Sequence, residues 1–307
     1  MIVPFIVGPT AIGKTRISAE IAARLNVEIV SADSRQIYRQ LDIGTSKPPK
    51  ELLQKVPHHL INFLRPDETT SAGMYSKIAR KVIGQIVQRG NIPLVVGGSG
   101  LYIRALIDGL HSVDVRDDKI RISLRKRLLK EGVGKLYDEL KQIDPALAKK
   151  IKPADKQRII RGLEVYLSTG KRLSELQEQG AKPADFEPLM FGLRAEREWL
   201  YHVIDNRVLK MFEQGLLAEV ANLKLAGYTR ELNAINTVGY REIFIYLENN
   251  IYYDDMIAMI QRNTRNYAKR QMTWFRREKR ITWFNISETT DFSKLADEII
   301  ARIKDKI

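Results

Sequence analysis

The sequence predicts an α/β protein, a parallel sheet flanked by helices and interrupted by a mostly helical insertion. Three observations carry that prediction. Short apolar runs of strand length alternate with helical apolar spacing through the first third of the chain. Strand-like runs then vanish between about Asp117 and Ser174 while charges multiply. A further apolar run at Leu189–Leu193 brings the chain back to the sheet.

Ile2–Val7 is an apolar run stopped by Gly8-Pro9, as a buried parallel strand would be. Ile17, Ile21, Ala22 and Leu25 recur at helical spacing after a glycine-rich turn, and Val27–Ser31 reads as a second strand. Ala79, Val82, Ile83, Ile86 and Val87 form one helix face that ends at Gly90, before a third strand over Ile92–Val96. Strands joined through helices imply right-handed crossovers. Within the insertion, Leu124, Leu128, Leu136, Leu140, Ile159, Leu163 and Tyr166 are the candidate core. From Glu196 the chain reads as helical to Arg280, with a last strand at Ile281–Asn285. The expected division is a first core part over 1–116, an insertion over 117–182, and a return to the core with basic C-terminal helices over 183–307.

Composition narrows the function. The chain of 307 residues has no cysteine, which excludes disulfides, thiolate catalysis and cysteine-ligated zinc. Its four histidines show no metal-ligand spacing, and no run approaches the ~18 apolar residues of a membrane span. The apolar start lacks the basic leader of a signal peptide, so the expected compartment is the cytoplasm. The formal net charge of +14 is unevenly spread: +6 over residues 1–110, +7 over 111–161, −5 over 162–259 and +6 over 260–307. Two basic blocks separated by an acidic one suggest two surfaces facing a polyanion, against the plainer alternative of solvated charged helices.

Gly8-Pro9-Thr10-Ala11-Ile12-Gly13-Lys14-Thr15 is a complete GxxxxGK[ST] motif between a predicted strand and a predicted helix. Its glycines let successive N–H groups converge on phosphate oxygens at the positive end of the helix. Lys14 adds a mobile cation, and the Thr15 hydroxyl can bind Mg²⁺. The sheet is therefore expected to be P-loop NTPase-like, with a nucleotide such as ATP as one candidate ligand. Nucleotide hydrolases also use a strand ending in an Asp that supports Mg²⁺. Here Ile92–Val96 runs into Gly97-Gly98-Ser99-Gly100 with no carboxylate. That leaves a small-molecule kinase, or an enzyme that handles a diphosphate without hydrolysing nucleotide.

The second strand runs into Ser31-Ala32-Asp33-Ser34-Arg35-Gln36-Ile37-Tyr38, followed by Leu41-Asp42-Ile43-Gly44-Thr45-Ser46-Lys47-Pro48. With the phosphate motif, the run from Val96 to Tyr102, His58-His59-Leu60-Ile61, Gln157 to Tyr166, Thr169-Gly170-Lys171, Asn236 to Glu242 and Tyr267 to Arg276, these resemble the tRNA dimethylallyltransferase family over nearly the whole chain, in order. The resemblance implies transfer of a five-carbon group from dimethylallyl diphosphate, held with Mg²⁺ by the P-loop, to a tRNA adenosine. The acceptor would be the exocyclic amine of the adenosine immediately 3′ of the anticodon, extruded from its stack in the anticodon stem-loop.

Asp33 matches the family's catalytic Asp and would orient the amine and accept its proton; its plain alternative is a helix N-cap. Ser99 stands where the family usually has Thr and keeps the hydroxyl; by resemblance it is a second catalytic candidate, bonding the diphosphate bridge or the substrate, and its plain alternative is a tight strand-to-helix turn. Arg207 is a candidate diphosphate contact, or equally part of a structural ion pair. By resemblance, tRNA would meet Asp33, Ser34, Arg35, Gln36, Ser99 and Arg121. It would also meet Gln157, Arg158, Ile159, Ile160 and Arg161, and Asn236, Thr237, Val238, Gly239, Tyr240 and Arg241. The last such run is Lys269, Arg270, Gln271, Met272, Thr273, Trp274, Phe275 and Arg276.

The residues themselves support part of this. Ile257, Ile260, Thr264, Ala268 and Phe275 share an apolar helix face, while Arg262, Arg265, Lys269 and Arg276 form a separate basic stripe. Aromatics interleaved with that stripe can stack on bases, although such residues are more often core. Three other functions use parts of the same sequence: a P-loop small-molecule kinase, an RNA-binding protein with a relic P-loop, and a prenyltransferase acting on free adenine nucleotide. The missing strand-end Asp counts against the first, intact Lys14, Thr15 and Asp33 against the second, and the two basic blocks against the third. A monomer without membrane association is expected.

Overall fold

The computed structural model describes residues 1–110, 117–178 and 180–307, and the chain divides into two compact units. One unit comprises Met1–Ile107 with Ala184–Ile307, and the other is Asp108–Pro183. The insertion was expected over 117–182; its near boundary therefore falls earlier, at the end of a helix.

The first part of the core carries β1 (Ile2–Val7), α1 (Lys14–Ala22), β2 (Val27–Ser31), α2 (Lys50–Lys55), β3 (His58–His59), α3 (Ala72–Gln88), β4 (Ile92–Gly97) and α4 (Gly100–Asp108). The insertion holds α5 (Asp118–Ile143), α6 (Pro145–Lys150), α7 (Lys156–Thr169) and α8 (Leu173–Glu178). The chain returns through β5 (Glu187–Arg194), α9 (Arg197–Glu213), α10 (Leu216–Leu225), α11 (Tyr240–Leu247), α12 (Tyr253–Phe275), β6 (Ile281–Asn285) and α13 (Phe292–Lys304).

All six strands join one parallel sheet in the order β3-β2-β4-β1-β5-β6. The two central strands each contain a proline, which lacks the N–H that a ladder needs. The stagger explains the tolerance: β1 meets β4 only at Phe5–Val7 against Val95–Gly97, so Pro4 and Pro93 lie before the two strands pair. From β1 the chain crosses to β2 on one side, and from β4 it crosses to β5 on the other. Ligands in open α/β sheets bind at such a switch, outside the carboxyl ends of the strands. Those ends deliver the loop after Val7, the segment after Ser31 and the turn after Gly97.

Buried side chains of the sheet, α1 and α13 form one apolar cluster, including Ile17, Ile21, Phe191, Ala296, Ile299 and Ile303. A second gathers Val208, Leu216, Val220, Tyr240, Phe244, Met256 and Ile260 from α9–α12. Each fully buried isoleucine or leucine contributes roughly 1.5–3 kcal/mol relative to exposure.

In the insertion, Leu124, Leu136, Leu140, Ile159 and Leu163 are buried as expected, with Leu128 packed at the margin and Tyr166 half-buried. Buried Asp144 caps α6 at Leu147 N and accepts from both the N–H and the hydroxyl of Ser174, tying α8 to the bundle. No helix among the described residues is long and apolar enough to cross a membrane.

Candidate active site

The loop from β1 into α1 needs an unusual backbone at its last glycine. Gly13 caps α1 at φ 100°, a left-handed conformation that costs a residue with a Cβ far more than glycine. The loop, with Asp33, Gln36, Ser46, Gly97, Arg207 and Gln271, lines a cavity of about 310 Å³. Lys14 Nζ donates to the Pro9 carbonyl at 2.7 Å, so its ammonium folds back over the loop. Burial pushes the Lys14 amine down to about 8, with Asp33 pulling it up and Arg207 pushing it down further. Burial likewise lowers the Arg207 guanidinium to about 10, against the opposing pull of Asp33. Arg207 donates to the Thr10 hydroxyl at 3.2 Å and also to the Ser46 hydroxyl. Two recessed cations facing one carboxylate make a site that favours an added anion.

Asp33 sits just past β2. Its Oδ1 accepts from Arg35 N at 2.8 Å and Gln36 N at 3.4 Å, but these residues form a turn and no helix begins there, so the expected alternative of a helix N-cap is not realised and the oxygen holds a turn instead. Oδ2 accepts no hydrogen bond from the described residues. Ser99 Oγ accepts from Ser34 N at 2.9 Å and lies 3.2 Å from Ser34 Oγ, while Ser99 N donates to the Ala32 carbonyl. Ser99 thus ties the β4 turn to the segment bearing Asp33. Tyr267 reaches Ser99 from α12, and burial raises its phenol well above the usual value.

A second cavity, of about 420 Å³, shares Thr10, Ala11, Asp33, Thr45 and Arg207 with the first. One part of its wall is apolar, from Ile204, Val208, Met211, Leu216, Val238 and Ile260. The rest is polar, with Asn236, Thr237, Arg241, Asn263, Tyr267 and Arg270. Of this apolar lining, sequence reading singled out only Val238 and Ile260, and for other roles, because the side chains from α9, α10 and α12 converge only in the fold. Glu219 holds the Asp42–Ser46 loop beside it. Its carboxylate accepts from Asp42 N, Ile43 N and Gly44 N, and from the Tyr240 hydroxyl at 2.5 Å.

Gln271 joins the cradle to α12. Its Oε1 accepts from Thr10 N at 2.8 Å and its Nε2 donates to the Gly98 carbonyl at 2.9 Å. Gly98 must be glycine for this approach, since a Cβ there would collide with Gln271 Nε2.

The runs expected to meet tRNA split between surface and interior. Asn236, Arg241, Lys269, Arg270, Thr273, Trp274 and Arg276 are exposed, whereas Thr237, Gly239, Tyr240, Gln271 and Phe275 are buried. Arg265 leaves the expected basic stripe, because Asp205 on α9 engages it at 2.6 and 2.7 Å. In the insertion, Gln157 and Arg158 are exposed, Ile159 and Ile160 are buried, and Arg121 and Arg161 are partly exposed. Buried members of these runs shape the backbone rather than present a side chain to solvent.

A protein-family model described as IPP transferase matches residues 36–278. The chain belongs to that family. The Gly8–Thr15 cradle and Asp33 precede the matched span. The tRNA dimethylallyltransferase 1 of Syntrophotalea carbinolica is 45% identical over 295 residues, 95% of this chain and 94% of that one. The tRNA dimethylallyltransferase of Thermotoga petrophila is 45% identical over 280 residues, 91% of each chain. Among solved structures, the full-length tRNA isopentenylpyrophosphate transferase of Bacillus halodurans matches with a TM-score of 0.74 at 39% identity, covering 99% of this chain and 96% of that one. A eukaryotic dimethylallyltransferase acting on tRNA matches with a TM-score of 0.83 at 27% identity, covering 99% of this chain and 78% of its own. The family membership agrees with a prenyl-transferring enzyme and with the six-stranded parallel fold.

Proposed function

We propose that this enzyme transfers a dimethylallyl group from dimethylallyl diphosphate to the exocyclic amine of the adenosine 3′ of the anticodon in tRNA. The observation that carries this reading is the junction of two cavities at Asp33 and Arg207. One side is a phosphate cradle with two recessed cations, and the other is wide enough for a base and partly apolar, as a five-carbon chain requires. The names of the 40–45% identical relatives support the same reaction.

In this reading the amine nitrogen attacks the allylic carbon as its C–O bond to the diphosphate breaks. The bonding pair leaves with the diphosphate, whose growing charge Lys14, Arg207 and the loop N–H groups stabilise. The amine proton passes to Asp33 Oδ2, while Oδ1 stays engaged with the turn. Ser99 and Tyr267 fix the pocket wall on which the adenine rests. The exposed residues of α12, Asn236, Arg241 and the basic face of the insertion bind the anticodon stem-loop.

The chain fits Mg²⁺ brought in by the diphosphate. No group of three acidic or histidine ligands exists among the described residues, but Thr15 lines the cradle, and Mg²⁺ commonly takes one or two protein oxygens plus phosphates and water. Thr15 would hold the ion, which would supply charge neutralisation on the departing diphosphate. The same reading has the protein act as a monomer in the cytoplasm.

The test is incubation with labelled dimethylallyl diphosphate, Mg²⁺ and unmodified tRNA, followed by digestion to nucleosides. Label on one adenosine beside the anticodon is the expected result. Label confined to free adenine nucleotide, or ATP turned over with a small acceptor and no prenyl donor, would replace this reading.

A further inference from the structure

Residues 42–46 form a loop that reaches both cavities: Ser46 lines the phosphate cradle, Gly44 the second cavity, and Thr45 both. The loop turns tightly, with Ser46 N donating to the Ile43 carbonyl and Ser46 itself at φ 51°. Backbone turns can point successive N–H groups to one side, where they bind an anion. Here the anion is internal. Glu219, in the first turn of α10, accepts on Oε2 from Asp42 N at 3.1 Å and Ile43 N at 2.8 Å, and on Oε1 from Gly44 N at 3.4 Å. Tyr240, fully buried on α11, donates its hydroxyl to Oε1 at 2.5 Å. Its ring lies so close to Gly44 that a Cβ there would overlap it. Further along the loop, Gln36 Nε2 donates to the Thr45 and Ser46 carbonyls. The Ser46 hydroxyl accepts from Arg207 Nη2, while the Thr10 hydroxyl accepts from Arg207 Nη1. One recessed guanidinium is thereby held between the P-loop and a second loop, and a carboxylate fixes that second loop.

We infer that Glu219, with the Tyr240 hydroxyl, is a positioning residue for the diphosphate site, acting through the 42–46 loop and Ser46 on Arg207. The inference rests on the proposed reading of the cradle as a diphosphate site. It also moves Tyr240 from the tRNA surface, where its run was expected to place it, to the support of the donor site. A loop left unpinned has to be ordered each time the diphosphate binds, and that cost weakens binding. Hydrogen bonds to a charged acceptor contribute more than neutral ones, so a carboxylate orders the loop more firmly than an amide.

The sign of the effect separates positioning from simple charge. Glu219→Gln removes a negative charge from the neighbourhood of an anion site, so electrostatics alone would tighten diphosphate binding. Positioning predicts the opposite. The Kd of inorganic diphosphate with Mg²⁺ and the KM for dimethylallyl diphosphate should each rise about tenfold, the size of one charge-assisted hydrogen bond. The Kd for tRNA should stay at the wild-type value. Tighter or unchanged diphosphate binding by folded E219Q overturns the inference, and so does an equal loss of tRNA binding.

Tyr240→Phe covers the case in which E219Q folds poorly, because it removes one hydroxyl and leaves the ring on Gly44. Y240F should weaken inorganic diphosphate binding about threefold and leave the tRNA Kd unchanged. Weaker tRNA binding with unchanged diphosphate binding would return Tyr240 to the RNA surface and overturn the inference. A double-mutant cycle tests the route through Ser46. In a Ser46→Ala background E219Q should cost less than about threefold, and the full tenfold loss would overturn that route. If the wild-type protein binds no inorganic diphosphate, the cradle reading and the inference fail together. If it binds diphosphate but prenylates no tRNA, only the proposed reaction fails, and the diphosphate Kd of E219Q still decides the role of Glu219.

Discussion

Asp33 divides its carboxylate: Oδ1 holds the turn through Arg35 N, and in the proposed reaction Oδ2 takes the amine proton. Asparagine keeps an acceptor for the turn but is no base. Asp33→Asn should therefore lower kcat by about 10²–10⁴-fold with tRNA affinity and melting temperature near wild type; full activity would remove Asp33 from proton transfer. Gln271 makes a sharper case. It lies in a run that resembles a tRNA contact, yet it is 6% exposed and bonded to Thr10 N and the Gly98 carbonyl. Gln271→Met should raise the KM for the prenyl diphosphate by about 30-fold, since its two lost hydrogen bonds contribute about 1 kcal/mol each. The Kd for tRNA should stay unchanged; the reverse pattern would return Gln271 to the RNA surface. The cradle was legible in sequence because contiguous spacing defines it. The Gln271 bridge was not, because its partner Thr10 lies 261 positions away.

Among the elements, the β1–α1 loop has a pH dependence of its own. Lys14 is held near 8 by burial, so the empty cradle loses one cation as pH rises through that value. Because kcat/KM reports the free enzyme, kcat/KM for the prenyl diphosphate should fall above about pH 8. A bound diphosphate restores the preference for the charged form, so kcat should hold to higher pH. Lys14→Arg, which stays charged, should lack the alkaline limb; an unshifted limb would assign the titration elsewhere. The strands β1, β2, β4, β5 and β6 were readable because apolar runs bounded by turn residues are strand signals in themselves. The two-residue β3, His58–His59, has no such signal and exists only through its register with Ile29 and Val30. The basic stripe on α12 was read from helical spacing alone, and Asp205 on another helix then claimed Arg265.

At the scale of the whole molecule, sequence foresaw a parallel core carrying a helical insertion, because the change from strand runs to charged leucine spacing marks the change of unit. The unit boundary at Asp108 fell earlier than expected, since α4 carries no compositional break where it leaves the core. The second cavity was hidden for a related reason: its apolar wall is assembled from α9, α10, α12 and Val238, residues far apart along the chain. The claim that unites these parts is that a P-loop fold here grips a diphosphate as leaving group rather than a nucleotide to be hydrolysed. The most direct measurement is the release of inorganic diphosphate against prenylated adenosine formed, in one reaction with ATP present. The account predicts one diphosphate per transfer, no ATP consumed, and both yields lost together in Lys14→Met. Transfer that consumes ATP, or prenylation unaffected by Lys14→Met, would contradict it.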